Sequence, residues 1–300
     1  MRAVLALLLA ALAVAAAGCQ ESGFDEARET RKPLKVQHAK GESKVPGRAE
    51  RPVAFTADAL DDTLALGLEP PLAVLPGGRL PDYLRPRARG PKVIGQPLPP
   101  DLKPIKAADP DVILAAVPAQ APLYGRLRKI APTVMTDAGG VGWKLNARLH
   151  GEALGRTNDA ERLLIDYDDR SARLEERLGA RARRTRVAVV RVGPAAVRVA
   201  AEFSFPGSVI GDLGVPLAER GADEGEEYRT IAPARLRALN ADVVLLGVAP
   251  GAEGRWRRLS SQPGWQSARV VRVDEGTWWS GGGILAARAA LRDLGRALAS

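Results

Sequence analysis

The sequence predicts an α/β fold of two lobes, each built on a parallel sheet, joined by one long helix. Three observations lead there. The first is an amphipathic stretch at residues 158–178, in which Ala160, Leu163, Leu164, Tyr167, Leu174 and Leu178 recur at three-and-four spacing. Charged residues from Asp166 to Arg177 fill the opposite face, Asn158 and Glu161 make a capping pair, and Gly179 supplies a stop. At 1.5 Å per residue this rod is about 30 Å long, the width of a small domain, with chain of similar character on both sides. Ser171 interrupts any heptad seam, which argues against a coiled coil, and the chain is read as a monomer. The second observation is an echo. Residues 105–114 run from a helix end through Ala108-Asp109-Pro110 into Asp111-Val112-Ile113-Leu114, and residues 236–245 run through Leu239-Asn240-Ala241 into Asp242-Val243-Val244-Leu245. The third is the near-continuous valine run at residues 186–192, typical of a strand buried on both faces. Alternating strands and helices imply parallel sheets, whose ligands bind beyond the carboxyl ends of the strands. With two lobes facing each other, that place is the cleft between them.

Composition narrows the class. Of 300 residues, 46% are hydrophobic, enough for two cores, and 44 Lys+Arg against 35 Asp+Glu give a formal charge of +9. The basic residues are interleaved with acids rather than gathered into a stripe, so nucleic acid is not an expected partner. The single cysteine rules out an intrachain disulfide framework and a cysteine-based zinc site. Its position is informative. Arg2, an apolar run over residues 3–17 and then Ala16-Ala17-Gly18-Cys19 resemble a bacterial lipoprotein signal, in which Cys19 becomes the lipidated first residue. The run is too short and too soon polar to be a good membrane span. The expected location is the extracytoplasmic face of the cell membrane, with acyl chains on Cys19 as the anchor.

The expected organisation is a signal peptide at 1–18, a flexible tether at 19–35, a first lobe at 36–142, a linker and interlobe helix at 143–183 and a second lobe at 184–300. Within the first lobe, residues 38–46 read as an edge hairpin, 52–55, 72–75 and 92–94 as strands, and 58–66 as a helix ended by Gly67. Residues 76–91 and 96–100, rich in Pro, Gly and Arg, read as surface loops. In the second lobe, residues 209–214 read as a helix with a glycine stop, 270–273 as a late strand and 284–298 as a closing helix.

Enzyme signatures are missing. Only His38 and His150 are present, and neither has a metal-ligand partner at helical spacing. Ser208 in Gly207-Ser208-Val209-Ile210-Gly211 stands one place too early for a nucleophile elbow. The glycines of residues 137–144 and 281–283 lack the Gly-Lys-Ser/Thr ending that holds nucleotide phosphates. No catalytic residue, metal ligand or cofactor is therefore expected. What stands out instead is aromatic and cationic residues in loops after predicted strands. Trp278 and Trp279 are adjacent, so both cannot enter one core face. Arg191 ends the first strand of the second lobe, and Phe203 and Phe205 follow in a loop. In the first lobe Arg79, Tyr83 and Arg85 follow one strand, Gln120 and Tyr124 another, and Trp143 and Lys144 stand at the start of the hinge region. Trp265 reads as core.

The chain resembles the solute-binding lipoproteins of iron–siderophore ABC importers, the ferric-citrate and ferrichrome type of periplasmic-binding-protein family. The resemblance rests on His38-Ala39-Lys40-Gly41 with Val45-Pro46, on Asp58-Ala59-Leu60 with Leu64-Ala65-Leu66-Gly67, and on Ala108-Asp109-Pro110-Asp111-Val112-Ile113. It continues through Ile130-Ala131-Pro132-Thr133-Val134, Gly151-Glu152-Ala153-Leu154-Gly155-Arg156, Val189-Val190-Arg191, and Val273-Asp274 followed by Trp278-Trp279. It implies a class III periplasmic-binding-protein-like fold that moves little on binding, and a cleft lined with Arg, Tyr and Trp. It also implies a ferric siderophore as cargo and an ABC permease as partner. Ligand-holding roles fall to Arg191, Trp278 or Trp279, Tyr124 and the Arg79–Arg85 loop. A ferric chelate already satisfies its metal, so the protein needs guanidinium groups and aromatic faces rather than metal ligands. Cobalamin or haem as cargo, or a protein-interaction role, remain open alternatives. One departure bears on the permease: Lys103 stands where the family carries a docking glutamate and residues 230–234 hold no acid, leaving Asp101, Glu226 and Glu227 as the nearest.

Overall fold

The chain enters the fold on an antiparallel hairpin, β1 (Leu34–His38) and β2 (Gly41–Val45), closed by Gly41 at φ 107°. The hairpin starts at Leu34, within the stretch expected as tether. The computed structural model describes residues 32–95, 101–137, 139–219, 221, 225–262, 265 and 268–299. The signal segment with Cys19, residues 20–31 of the tether, the loop at 96–100 and Pro263-Gly264 lie outside the described residues.

The hairpin docks on the first sheet, where Ala39 N donates to Met135 O (3.0 Å) and Ser43 Oγ to Thr133 O (2.8 Å). That sheet comprises β3 (Pro52–Ala54), β4 (Leu72–Val74), β5 (Lys92–Ile94), β6 (Val112–Ala116) and β7 (Thr133–Thr136), all parallel in the order β5-β4-β3-β6-β7. Alternate residues feed two cores: Val53, Ile113 and Met135 pack on one face, Ala54, Leu114 and Val134 on the other. On the second face lies α1 (Ala57–Ala65), capped by Thr56 Oγ1, which accepts from Ala59 N at 3.2 Å.

Helix α2 (Trp143–Ala153) leads into the long helix α3 (Thr157–Ala182). Helix α3 differs from expectation at both ends. Arg156 occupies the cap position without a side-chain cap bond, which places Asn158 inside the first turn, and Asp159 pairs with Arg156 and Arg162. At the far end Gly179 takes φ 58°, ψ −150° and kinks the chain, but a last turn continues to Ala182. Of its buried face, Ala160 belongs to the first lobe's core, whereas Leu164, Tyr167 and Leu174 belong to the second's. Ser171 is buried in that stripe because its Oγ donates to Asp212 O at 3.1 Å.

The second sheet comprises β8 (Val187–Val192), β9 (Val197–Ala200), β10 (Tyr228–Ile231), β11 (Val243–Val248) and β12 (Arg269–Arg272) in the order β10-β9-β8-β11-β12. It is mixed rather than parallel. Strands β8, β11 and β12 are parallel, but β9 runs antiparallel to β8 and β10 to β9. The reason is the connection: Gly193 N donates to Ala196 O (2.8 Å) in a tight turn, far shorter than a parallel crossover needs. Helix α4 (Phe205–Gly211) then starts earlier than the expected 209–214, capped by Ser204 Oγ, and the chain closes on α5 (Ile284–Ala299).

Helix α5 ties the lobes together. Its first amides are capped by two consecutive acids of α1, on the other lobe: Ile284 N donates to Asp62 Oδ1 (3.0 Å), and Leu285 N and Ala286 N donate to Asp61 (2.6 and 2.9 Å). Asp62 also accepts from His150 Nδ1 at 2.7 Å, and all three side chains are buried. A second tie joins α2 to α3 and α4. Lys144 Nζ pairs with Asp168 (2.9 Å) and Asp212 (3.1 Å), and Tyr167 OH donates to Asp212 at 2.8 Å. A third is a backbone contact, Val141 N to Phe203 O at 3.1 Å. Gly140 makes that approach possible: it sits at φ 48°, and a Cβ there would lie 1.8 Å from Phe203 O. Gly140→Ala is expected to cost about 1–3 kcal/mol, read as a lower Tm. An unchanged Tm would mean that the loops do not meet in solution.

Candidate functional site

The carboxyl edge of the second sheet carries the most distinctive side chains. Register pairing aligns Thr230, Arg198, Arg191 and Gly247 across β10, β9, β8 and β11. Residues directly opposite one another share a face, so two guanidinium side chains stand side by side in this row. Arg198 is exposed; Arg191 is half-buried and its Nε donates to Glu275 Oε1 at 2.5 Å. Gly247 is the gap in the row, and the indole of Trp279 fills it: a Cβ on Gly247 would lie 3.2 Å from Trp279 Cδ1. Trp279 also meets Tyr228, ring centroids 4.8 Å apart at 32°. Burial, with Glu227 beside it, pushes the Tyr228 hydroxyl well up, so it remains a neutral phenol. Glu227 is itself raised by burial and lies against Gly139 of the first lobe.

This wall meets the first lobe through the π-helical turn Gly276–Ser280 that carries both tryptophans. A Cβ on Gly276 would come within 3.3 Å of Pro81 Cβ, so the 79–85 loop abuts the turn. Asp274 Oδ1 holds the turn by accepting from Thr277 N and Oγ1, both at 2.7 Å.

The residues predicted to hold a ligand divide into two groups. Arg191 and Trp279 come together, with the exposed Arg79 and Arg85 on the loop that meets their turn; Arg85 is paired with Asp82 at 2.7 Å. Phe203 is half-buried at the interlobe contact. Tyr124 is also half-buried, edge-on to His38 at 5.8 Å and beneath Arg128. His38 Nδ1 accepts from Lys40 N and its Nε2–H faces Ser43 Oγ at 2.9 Å, and burial lowers its pKa, so the ring is neutral.

Three expected ligand residues pack against the cores instead. Trp278 is fully buried under α5, its Nε1 donating to Asp293 at 2.9 Å. Trp143 is 1% exposed, packed edge-on to Tyr167 (4.9 Å) and Phe205 (5.9 Å), with Nε1 donating to Ser208 Oγ. The Tyr83 ring packs against both lobes' cores with its hydroxyl buried beside Asp61, whose charge adds to burial in raising it. Phe205 opens α4 and is core, and Gln120 is buried, its Oε1 accepting from Ala116 N. Trp265 is buried against Trp256. Arg198, Glu275 and Tyr228 were not singled out from the sequence. The alternation Val197-Arg198-Val199 is the signal that identifies Arg198 as facing away from its neighbours. Among the described residues no group of three or more His, Cys, Asp or Glu side chains could hold a metal, and no helix is long and apolar enough to cross a membrane.

Two α/β lobes, tied by a long helix and presenting cations and an indole at a sheet's carboxyl edge, form the body of a binding protein. A family model described as periplasmic binding protein matches residues 53–273, and the chain belongs to that family. It is similar to the probable siderophore-binding lipoprotein of Bacillus subtilis, at 27% identity over 307 residues covering 96% of this chain and 94% of the relative. It is also similar to the iron-uptake system-binding protein of the same organism, at 22% identity covering 90% and 88%. Among solved structures it is similar to Staphylococcus aureus SirA complexed with staphyloferrin B, with a TM-score of 0.76 at 26% identity over 89% of this chain and 98% of that one. The triscatecholate siderophore binding protein of Bacillus subtilis complexed with ferri-bacillibactin shares the fold, with a TM-score of 0.76 at 19% identity over 89% and 98%. These are binding proteins, not enzymes.

Proposed function

We propose that the chain is an extracytoplasmic, lipid-anchored receptor that binds a ferric siderophore between its lobes and delivers it to an ABC importer. The observation that carries this reading is the row of Arg191 and Arg198 beside the Trp279 indole, on the edge that meets the first lobe. Guanidinium forks match carboxylate, catecholate or hydroxamate oxygens, and the indole offers an apolar face to the ligand's carbon framework. The names of the relatives support it, as does a site whose chemistry asks for no metal ligand of its own. In this reading Arg191, Arg198 and Trp279 are the second-lobe anchors. Arg79, Arg85, Tyr124 and Phe203 supply the rest, and lobes at 36–142 and 184–300 flank the linking region at 143–183. The protein acts as a monomer.

Titration of intrinsic tryptophan fluorescence against ferric siderophores, cobalamin and haem tests the cargo. A ferric siderophore is expected to quench at the lowest concentration; tighter binding of cobalamin or haem would overturn the assignment. Anchoring is tested separately. Cys19→Ala is expected to move the protein from the membrane fraction to the soluble one, and unchanged membrane association would refute the lipid anchor.

A further inference from the structure

Helices α3 and α5 run against each other and leave a groove of about 580 Å³. Six arginines line it, Arg170, Arg173 and Arg177 from α3 and Arg288, Arg292 and Arg296 from α5. They recur every three or four residues, so each helix sends a ridge of guanidinium groups along the groove over about 10–12 Å. The floor is apolar: Leu174 and Leu291 lie between the ridges, and Gly295 lets the helices close up, since a Cβ there would lie 3.3 Å from Leu174 Cδ1. Two carboxylates offset part of the charge. Asp166 pairs with both Arg170 and Arg288 at 2.7 Å, and Asp293 pairs with Arg296 at 2.5 Å. Arg173, Arg177 and Arg292 make no hydrogen bond or ion pair to any described residue. Burial pulls Arg288 below the usual guanidinium range; the Asp166 charge opposes this, and Arg170 and Arg87 add to it.

Arg288 ties α5 to α3 through Asp166 and Leu163 O (3.2 Å), but no hydrogen bond or ion pair among the described residues calls for Arg173, Arg177 and Arg292. Helix packing is already served by Leu174, Leu291 and Gly295, and like charges along facing ridges repel. A surplus of guanidinium forks over an apolar floor, spread over two helical turns, suits an anion with several charged oxygens rather than a single carboxylate. We propose that the α3–α5 groove binds a multiply charged phosphate anion, a soluble polyphosphate or the phosphodiester headgroups of an anionic lipid surface, at a site separate from the Arg191 wall.

The test uses two probes on the purified protein: tripolyphosphate by isothermal titration, and phosphatidylglycerol/phosphatidylcholine vesicles by co-sedimentation, each at low and physiological salt. Wild type is expected to bind at least one of them. Tripolyphosphate binding assigns a soluble anion, and vesicle binding alone assigns the lipid. The triple variant Arg173→Glu/Arg177→Glu/Arg292→Glu is expected to bind at least about tenfold more weakly, with a shallower salt dependence. The neutral triple Arg173→Gln/Arg177→Gln/Arg292→Gln gives the same readout without new charge, should the first fold poorly. A control of equal charge change, Lys103→Glu/Lys106→Glu/Lys129→Glu, reverses a separate cationic patch on the first lobe and is expected to keep wild-type affinity. Failure of wild type to bind either probe overturns the proposal. So does wild-type binding by the groove variants, or an equal loss in the control, which would reduce the effect to net charge.

Discussion

Asp62→Ala is expected to lower stability by about 3–5 kcal/mol, the cost of removing one partner from a buried charged pair. Net stabilities are only about 5–15 kcal/mol, so the variant should melt far below wild type or fail to accumulate. The magnitude follows from what the carboxylate does. It accepts from Ile284 N and His150 Nδ1 while fully buried, so its loss strands a helix amide and an imidazole whose Nε2 has no partner among the described residues. Asp62→Asn keeps an acceptor for Ile284 N and lets a neutral His150 reorganise its proton, so a smaller loss of about 1–3 kcal/mol is expected. Equal melting of Asp62→Ala and wild type would show that the lobes are not held by this cap.

The same cluster sets a pH dependence. Burial alone would lower His150, but the hydrogen bond and charge of Asp62 outweigh it and raise the imidazole above its ordinary 6.5. Burial raises Asp61 and Asp62 above the ordinary carboxylate value, with the Asp62 charge adding to the shift of Asp61. All three shifts have one sign: the folded state binds protons more tightly than the unfolded chain. For His150 the stabilisation is fully present below 6.5 and is lost as pH rises through its elevated folded value. The denaturation midpoint of wild type is therefore expected to fall between pH 6 and pH 8, and Asp62→Asn to lose most of that slope.

The long helix was legible because its periodicity reports burial directly, and the first sheet and β8 because short unbroken apolar runs do the same. The Asp61–Asp62 cap was not. Two consecutive acids in a helix read as a solvated face, and the amides they serve lie as much as 225 residues downstream. Trp143 and Trp278 misled for a related reason. Each stands at the edge of a glycine-rich stretch that reads as a loop, yet each is fixed from above by a distant element, Ser208 and Phe205 for the first and Asp293 on α5 for the second. For Trp143 a local signal existed: Trp143, Asn146, Ala147, His150 and Ala153 follow helical spacing and are all buried. The mixed character of the second sheet turned on β9, whose four residues after Pro194 give too short an alternation to read as a strand. Arg191 could be found because it ends an otherwise unbroken apolar run; its neighbour Arg198 depended on that missed strand.

At the proposed binding wall, Arg191→Ala and Glu275→Gln are expected to act in opposite directions on an anionic ferric siderophore. Removing the guanidinium forfeits a charge-assisted contact of about 1.5–3 kcal/mol, a roughly 10- to 150-fold weaker Kd. Glu275 now occupies Arg191 Nε at 2.5 Å and places a negative charge beside the ligand's approach. Neutralising it removes that repulsion and leaves only a neutral acceptor on Nε, so Glu275→Gln is expected to bind the same ligand as tightly as wild type or a few-fold tighter. A neutral ligand would respond little to either change. Trp279→Ala tests the apolar half of the wall, with an expected loss of about 1–3 kcal/mol in binding and of most of the fluorescence quenching. Trp278→Ala supplies the contrast: its indole is fully buried, so truncation is expected to cost about 3–5 kcal/mol in stability rather than act selectively on affinity. Titration of the four variants against one anionic ferric siderophore separates these effects. Wild-type affinity in a folded Arg191→Ala protein would remove the guanidinium row from the site, and wild-type affinity in Trp279→Ala would move the ligand off the second-lobe wall altogether.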